Sequence, residues 1–408
     1  MSRLPPDWKN DRLKDRVRFA YGDSLAAEDR NEGEIKVFGS NGIVGNHDRA
    51  ITNGRTIIVG RKGSFGKVTW CNEPCFPIDT TYYVDSTQTR DELRWLFYAL
   101  ENLGLDTVNF DSAVPGLSRE VAYSLPLVFP PKPEQQRIAA YLDASCAAID
   151  AALSAKRRQL ETLAEISKTI ITKAVTVGIN TSAELRNSRI EWIGEIPRQW
   201  RVEKLKYLTS LIVDGTHVTP TYEREGVPFL RVTDIQDASI DLERVKYISQ
   251  DEHQLLSNRA KATRGDILLS KNGTIGLVKV VNWDWEFSFF VSLCLLRPTG
   301  RLNPRYFTYF FQSSVVDQQL SESSKKTSVT NLHLVKIREL LICVPTPKEQ
   351  EAIADFLDNK LADMQRIVTG IENQITTLTA YRKSLIHECV TGQRRITEAD
   401  LNLVKAHG

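Results

Sequence analysis

"PKPEQQRIAAYLD" at residues 131–143 and "TPKEQEAIADFLD" at 346–358 are one phrase written twice. Each carries proline at its start, then Glu-Gln, then apolar residues at helical spacing, and so opens a helix. The first helix continues in heptads. Leu142, Ile149, Lys156, Leu163, Ile170 and Val177 form one row, and Cys146, Leu153, Leu160, Ser167 and Ala174 form the row beside it. The second copy reads Leu357, Met364, Ile371, Leu378 and Leu385, interleaved with Leu361, Val368, Ile375, Arg382 and Cys389. Such rows are coiled-coil seams, with Gly370 the one breaker in the second. At about 44 residues each helix would extend ~66 Å, too far to dock only on its own globule. The seams are expected to meet each other. Roughly 17 residues join the first helix to the second half and can span at most ~60 Å, which favours antiparallel over parallel pairing.

The repetition extends outward from the helices. "PPDWKNDRLK" at 5–14 matches "PRQWRVEKLK" at 197–206, placing Trp8 on Trp200. "RWLFYAL" at 94–100 matches "RYFTYFF" at 305–311, and these aromatics at helical spacing read as core. The matches keep their order while their separation drifts, which is the mark of duplication. Before each long helix lie short β-type runs punctuated by Gly, Pro and Asn, such as "IKVFGSNGIVG", "TTYYVD" and "FSFFVSLCLLRP". The chain therefore reads as α+β: two mixed α/β domains separated by two long helices that form an antiparallel coiled coil, with internal pseudo-twofold duplication. The expected boundaries are 1–132 and 196–346 for the domains, 133–178 and 347–392 for the helices, 179–195 for the linker and 393–408 for the tail.

One stretch, "GRKGSFGKVTW" at 60–70, imitates a nucleotide-binding loop. The required spacing of Gly, four residues and Gly-Lys-Ser/Thr fails, because Arg61 holds the first glycine position and Val68 follows Lys67. Its counterpart, "GDILLSKNGTIGLVKV" at 265–280, keeps Gly273 and Gly276 but puts Leu277 where Lys67 stands. What recurs is strand, glycine turn, strand.

Bulk properties bound the function loosely. The 408 residues are 41% hydrophobic and 25% charged. Those proportions are ordinary for a globular chain with ample core. The net charge of +2 neither demands nor excludes nucleic acid, since phosphate binding depends on local patches. No apolar run approaches the roughly 20 residues that span a membrane. The charged start "MSRLPPDWKNDRLKDRVRF" has no signal-peptide core. Six scattered cysteines suit a reducing compartment, and "CNEPC" at 71–75 lacks a second Cys/His pair for a zinc site.

Two similar globules on a stiff spacer suit duplex DNA, whose backbone has local dyad symmetry and a regular rise. Matching positions differ in type, Arg61-Lys62 against Lys271-Asn272 and Ser64-Phe65 against Thr274-Ile275, so each globule could read a different half-site. Exposed hairpin tips are also polar simply because they are wet, and both readings stand at this level.

The chain resembles the specificity subunits of type I restriction–modification enzymes. The resemblance is carried by "PPKPEQQRIAAYLD" with "VPTPKEQEAIADFLD", by the linker "SRIEWIGEIPRQW", by "VFGSNGIVG", and by the helix ends "ITKAVTVG" and "IHECVTGQ". It covers essentially the whole chain. The resemblance implies a non-catalytic subunit that reads a bipartite DNA sequence, with a gap set by the helices. It implies two modification subunits that methylate adenine with S-adenosylmethionine, and restriction subunits that use ATP, with magnesium and these cofactors held in the partners rather than in this chain. A cytoplasmic, prokaryotic setting without membrane attachment follows, in a system of phage defence. The departures are a short "INTSAELRNS" segment and unlike seam residues, Lys156 against Ile371 and Ser167 against Arg382.

Candidate DNA-contacting residues are Ser40, Asn41, Arg61, Lys62 and Lys67 in the first domain, and Lys271, Asn272, Thr274, Lys325 and Lys326 in the second. "SESSKKTSVTN" at 321–331 offers phosphate-contact chemistry, though a merely solvated loop has the same composition. Glu134, Gln135, Glu349 and Gln350 are expected to dock partner subunits. Three rivals are weaker. Asp23, Glu34 and Lys36 have nuclease-type spacing but no counterpart in the second half, and a pure coiled-coil adaptor, or a DNA-binding protein acting alone, leaves part of the repeated pattern unused.

Overall fold

The computed structural model describes residues 5–107, 116–237, 239–324 and 332–407. It divides into two units, Met1–Arg158 with Ile371–Gly408 and Gln159–Gly370.

In the first unit, an antiparallel sheet runs in the order Ala20–Tyr21, Thr81–Val84, Thr56–Gly60, Val68–Cys71. A second sheet orders Gly42–His47, Ile35–Gly39 and Phe76–Pro77, with the last strand parallel to its neighbour. A third pairs Lys9–Arg12 with Pro126–Phe129. Thr56–Gly60, with Ile57, Ile58 and Val59 in succession, is an inner strand of the largest sheet and is wholly buried, as its lack of alternation requires. The helix Leu93–Asn102 sinks Trp95, Leu96, Tyr98 and Leu100 into the core. The aromatics are core, as their helical spacing implied.

The second unit repeats this plan strand for strand. Its sheets order Thr209–Asp214, Leu293–Pro298, Ile267–Ser270, Val278–Val280; then Lys246–Ile248, Val227–Leu230, Ser288–Phe289; then Arg201–Lys204 with Leu341–Val344. The helix Pro304–Gln312 stands where Leu93–Asn102 stood, its first N–H groups capped by Asn303. This unit adds the helix Gln250–Ser257, capped by the Ser249 hydroxyl. The segment read as a plain linker also holds structure, a hairpin of Leu185–Asn187 with Glu195–Pro197.

The long helices are Lys132–Thr176 and Pro347–Val390, the latter continuous through Gly370. Their pairing is antiparallel within each unit. In the first, Leu142, Cys146, Ile149 and Leu153 share a core with Leu385, Ile386 and Cys389. In the second, Ile171, Ala174 and Val175 share one with Ile353 and Leu357. The polar seam residue Arg382 is accommodated by Glu101 at 3.0 Å and Asp150 at 3.1 Å. Over its most apolar 18 residues the first helix has a mean hydropathy of 1.3, enough by composition to cross a membrane. Its apolar side, however, is the seam just described.

Both helix starts are pinned by the same trio of Trp, Glu and Gln, and here the docking expectation for Glu134, Gln135 and Gln350 is corrected, while the one for Glu349 is not. Gln135 is fully buried, receiving the Glu92 N–H at 2.7 Å and donating to Asp91 at 2.7 Å and the Pro130 carbonyl at 3.0 Å. Gln350 repeats the pattern with the Asn303 N–H and the Arg301 and Pro345 carbonyls. Glu134 is only 2% exposed and accepts the Trp8 indole N–H at 3.1 Å. Glu349, partly buried, accepts from Trp200 and closes a capping box with Thr346. The short backbone segments around each helix start leave N–H and C=O groups that only an amide side chain can satisfy together. Glu134, Gln135 and Gln350 are thus enclosed and hold the fold, whereas the half-buried Glu349 caps its helix at the surface.

Candidate nucleic-acid interface

The hairpin that imitated a nucleotide loop is closed by its own backbone hydrogen bonds. In its turn Gly63 and Gly66 have φ of 71° and 76°. This is the left-handed region that favours glycine. Two of the turn amides are occupied internally: Phe65 N–H donates to Gly63 O and Gly66 N–H to Gly60 O, both at 2.8 Å. The second hairpin repeats the closure, with Gly276 N–H on Ser270 O and Ser270 N–H on Leu277 O.

Four of the five first-domain candidates meet along the hairpin. Ser40 and Asn41 form the turn between Ile35–Gly39 and Gly42–His47. Lys67 Nζ donates to the Asn41 carbonyl at 2.7 Å and its Oδ1 at 3.0 Å. A Cβ on Gly63 would lie 3.5 Å from Ser40 Oγ, so the two turns touch. Arg61 donates from Nη1 to the Asp79 carbonyl at 2.9 Å and lies over the rings of Tyr21 and Tyr82. Lys62, the fifth, is exposed next to it. Sequence reasoning missed Tyr21 and Arg119, which complete this edge; Arg119 stacks on Tyr21 at 4.9 Å. Tyr21 reaches the hairpin edge by pairing with Tyr82 across adjacent strands, and Arg119 by the Leu117 N–H bond to the Arg61 carbonyl; neither contact is visible in local pattern. Burial pushes the Tyr82 hydroxyl up to about 12, so it stays neutral beside the guanidinium groups.

In the second domain the placement differs. Lys271 is 4% exposed and forms an ion pair with Asp214 at 3.1 Å, so its expected role in contacting DNA is corrected. A lysine this deep persists as a charge only with its countercharge beside it. Asn272 is half-buried, with Oδ1 shielded from solvent. Thr274 is exposed at the turn, where its carbonyl accepts the Ser270 hydroxyl. Lys325 and Lys326 lie outside the described residues. Of the nuclease-type set, Asp23 receives the N–H of its neighbour Ser24. Cys71 and Cys75 are buried, and burial raises the Cys75 thiol to about 12, far from a ligating thiolate.

The class is thus a chain of two like α+β modules, each with a glycine-turn hairpin edge and a paired long helix. Residues 5–162 and 197–377 match the type I restriction modification DNA specificity domain. The chain belongs to that family. It is 25% identical over 358 residues to the type I restriction enzyme EcoBI specificity subunit of Escherichia coli, covering 83% of this chain and 73% of that protein. It is 20% identical over 426 residues to the MjaVIII specificity subunit of Methanocaldococcus jannaschii, covering 97% and 94%. Among solved structures, a chain from work on complex assembly and conformational transition of the type I R-M system aligns with a TM-score of 0.72 at 16% identity, covering 96% of this chain and 99% of that one. The HsdS subunit of Thermoanaerobacter tengcongensis aligns with a TM-score of 0.50 at 15% identity, covering 96% and 98%. The structural likeness is one of fold.

Proposed function

We propose that this chain is the DNA-reading subunit of a type I restriction–modification complex. Each domain reads one half of a bipartite site, and the paired helices set the gap. The chain itself performs no catalysis. Methylation with S-adenosylmethionine and cleavage with ATP and magnesium belong to modification and restriction subunits, in the cytoplasm of a prokaryote. The modification subunits dock on the outer faces of the helices, where Phe356, Ile367 and Tyr381 are exposed.

The observation that carries this reading is a module repeated strand for strand whose hairpin edge changes chemistry. Arg61-Lys62, with Lys62 exposed, stands where the second copy has the buried, ion-paired Lys271 and half-buried Asn272 and presents Thr274 at its turn instead, on the same backbone hydrogen bonds: Arg61 N–H to Thr80 O, and Lys271 N–H to Ser292 O. Conserved scaffold with altered edge is what reading two different sequences requires. The test is a genome-wide map of adenine methylation in the host with and without this gene. Loss of one split motif, two short sequences around a constant gap, is the expected result. In a host whose modification subunits are expressed, an unchanged map overturns the reading.

A further inference from the structure

Tyr21 is a large aromatic ring left 48% exposed, and two guanidinium groups lie on it: Arg61 at 5.1 Å and Arg119 at 4.9 Å from its centroid. Neither arginine forms a salt bridge to a carboxylate among the described residues. Arg61 is steadied by the Asp79 carbonyl, and Arg119 also reaches the ring of Tyr123 at 5.9 Å. Stacking holds a guanidinium flat and leaves its in-plane donors free at the edge. Two like charges drawn to one ring repel each other, and the arrangement is relieved by an anion.

The repeat supplies a control within the same chain. Gly22 and Gly215 occupy equivalent points, since a Cβ on either would strike the backbone of the neighbouring strand: Ile78 O at 2.0 Å and Phe289 O at 2.2 Å. The residues before them, Tyr21 and Asp214, are therefore counterparts. Leu117 N–H donates to Arg61 O as Leu332 N–H donates to Lys271 O, which makes Arg119 the counterpart of Leu334. The triad Tyr21, Arg61, Arg119 is replaced by Asp214, Lys271, Leu334. In the second copy one cation is neutralised within the protein and the other is absent.

We infer that Tyr21, Arg61 and Arg119 clamp a backbone phosphate of DNA beside the half-site read by the first domain, and that the second domain has no such clamp. This rests on the DNA-reading function proposed above. A phosphodiester brings the negative charge that two converging guanidiniums require, whereas a base edge is neutral and compensates neither. Arg119 and Tyr21 thus add affinity without adding sequence information, and the two domains grip DNA unequally.

The experiment uses the assembled complex with its modification subunits and duplexes carrying the split site found by methylation mapping. Arg119→Gln is expected to weaken binding on the order of tenfold and to reduce the salt dependence by about one counterion. Tyr21→Asp, which installs the second domain's ion pair opposite Arg61, is expected to act in the same direction. Thermal melting checks that both variants remain folded, and Leu334→Gln should leave affinity unchanged. A scan of neutral methylphosphonates across the first half-site should weaken the wild type at one phosphate, with Arg119→Gln indifferent there. Unaltered affinity and salt slope in both folded variants overturn the clamp. So does a changed base in the methylated first half-site, which would assign these residues to base reading. A wild-type complex that binds no split site refutes the DNA-reading function itself.

Discussion

Gln135 donates a 2.7 Å hydrogen bond to Asp91, itself held at 2.6 Å by Arg16, and so ties the start of a long helix to the domain before it. The amide is fully buried and serves two further backbone groups. Gln135→Leu keeps the volume and removes every partner, leaving the Glu92 N–H and the Pro130 carbonyl unsatisfied. Unpaired buried groups cost about 1–3 kcal/mol each, so the variant should lose on the order of 2–4 kcal/mol in urea unfolding. Gln350→Leu should behave alike. A loss of partner assembly with unchanged unfolding would instead restore the docking role.

Lys271 and Asp214 form a pair in which removing one charge is worse than removing both. Lys271→Met leaves Asp214 buried and unmatched, at a cost of about 3–5 kcal/mol. The double variant Lys271→Met with Asp214→Leu should recover most of that stability. Because Lys271 is enclosed, the folded double variant should methylate the same sequence as the wild type. A changed second half-site would show that the lysine reaches DNA after all.

The helices could be read from the sequence because heptad spacing lies within one segment, the duplication because matching phrases recur in order, and the direction because the joining segment is too short for the alternative. Heptads, glycine turns and paired prolines are local signals. The hairpin candidates were also identified locally, and Arg61, Lys67, Ser40 and Asn41 do come together. What escaped was burial decided from elsewhere. Glu134 looked like a wet first-turn carboxylate until Trp8, far away in the chain, closed over it. Lys271 looked like a hairpin-tip cation, but its depth depends on Asp214 from another strand. Tyr21 and Arg119 carry no motif; sheet pairing brings the first to the edge and the Leu117–Arg61 backbone bond the second.

The spacer role makes a geometric prediction. Inserting one heptad into each helix, in register, adds ~10 Å of helix and preserves both seams. At about 3.4 Å per base pair this should lengthen the methylated gap by about three base pairs and leave both half-sites unchanged. Methylation mapping in a host carrying the variant reads the result directly. An altered half-site sequence with a constant gap would mean that the helices do not measure the distance.

His253 sets an acid limit on the second unit. Its ring is buried between Ser288 Oγ at 2.9 Å and Ser257 Oγ at 3.2 Å. Burial holds its pKa below the ordinary 6.5, although Glu286 pulls the other way and Lys261 reinforces the shift. The folded state therefore binds this proton less readily than the unfolded state. Stability is complete above about pH 6.5 and falls as the pH drops towards the depressed folded value. His253→Gln keeps hydrogen-bonding capacity but cannot titrate. It should cost some stability at neutral pH yet flatten the loss between about pH 7 and pH 5, as followed by thermal melting across that range. Parallel curves for the wild type and the variant would mean that the ring is protonated equally in both states, with Glu286 cancelling the effect of burial.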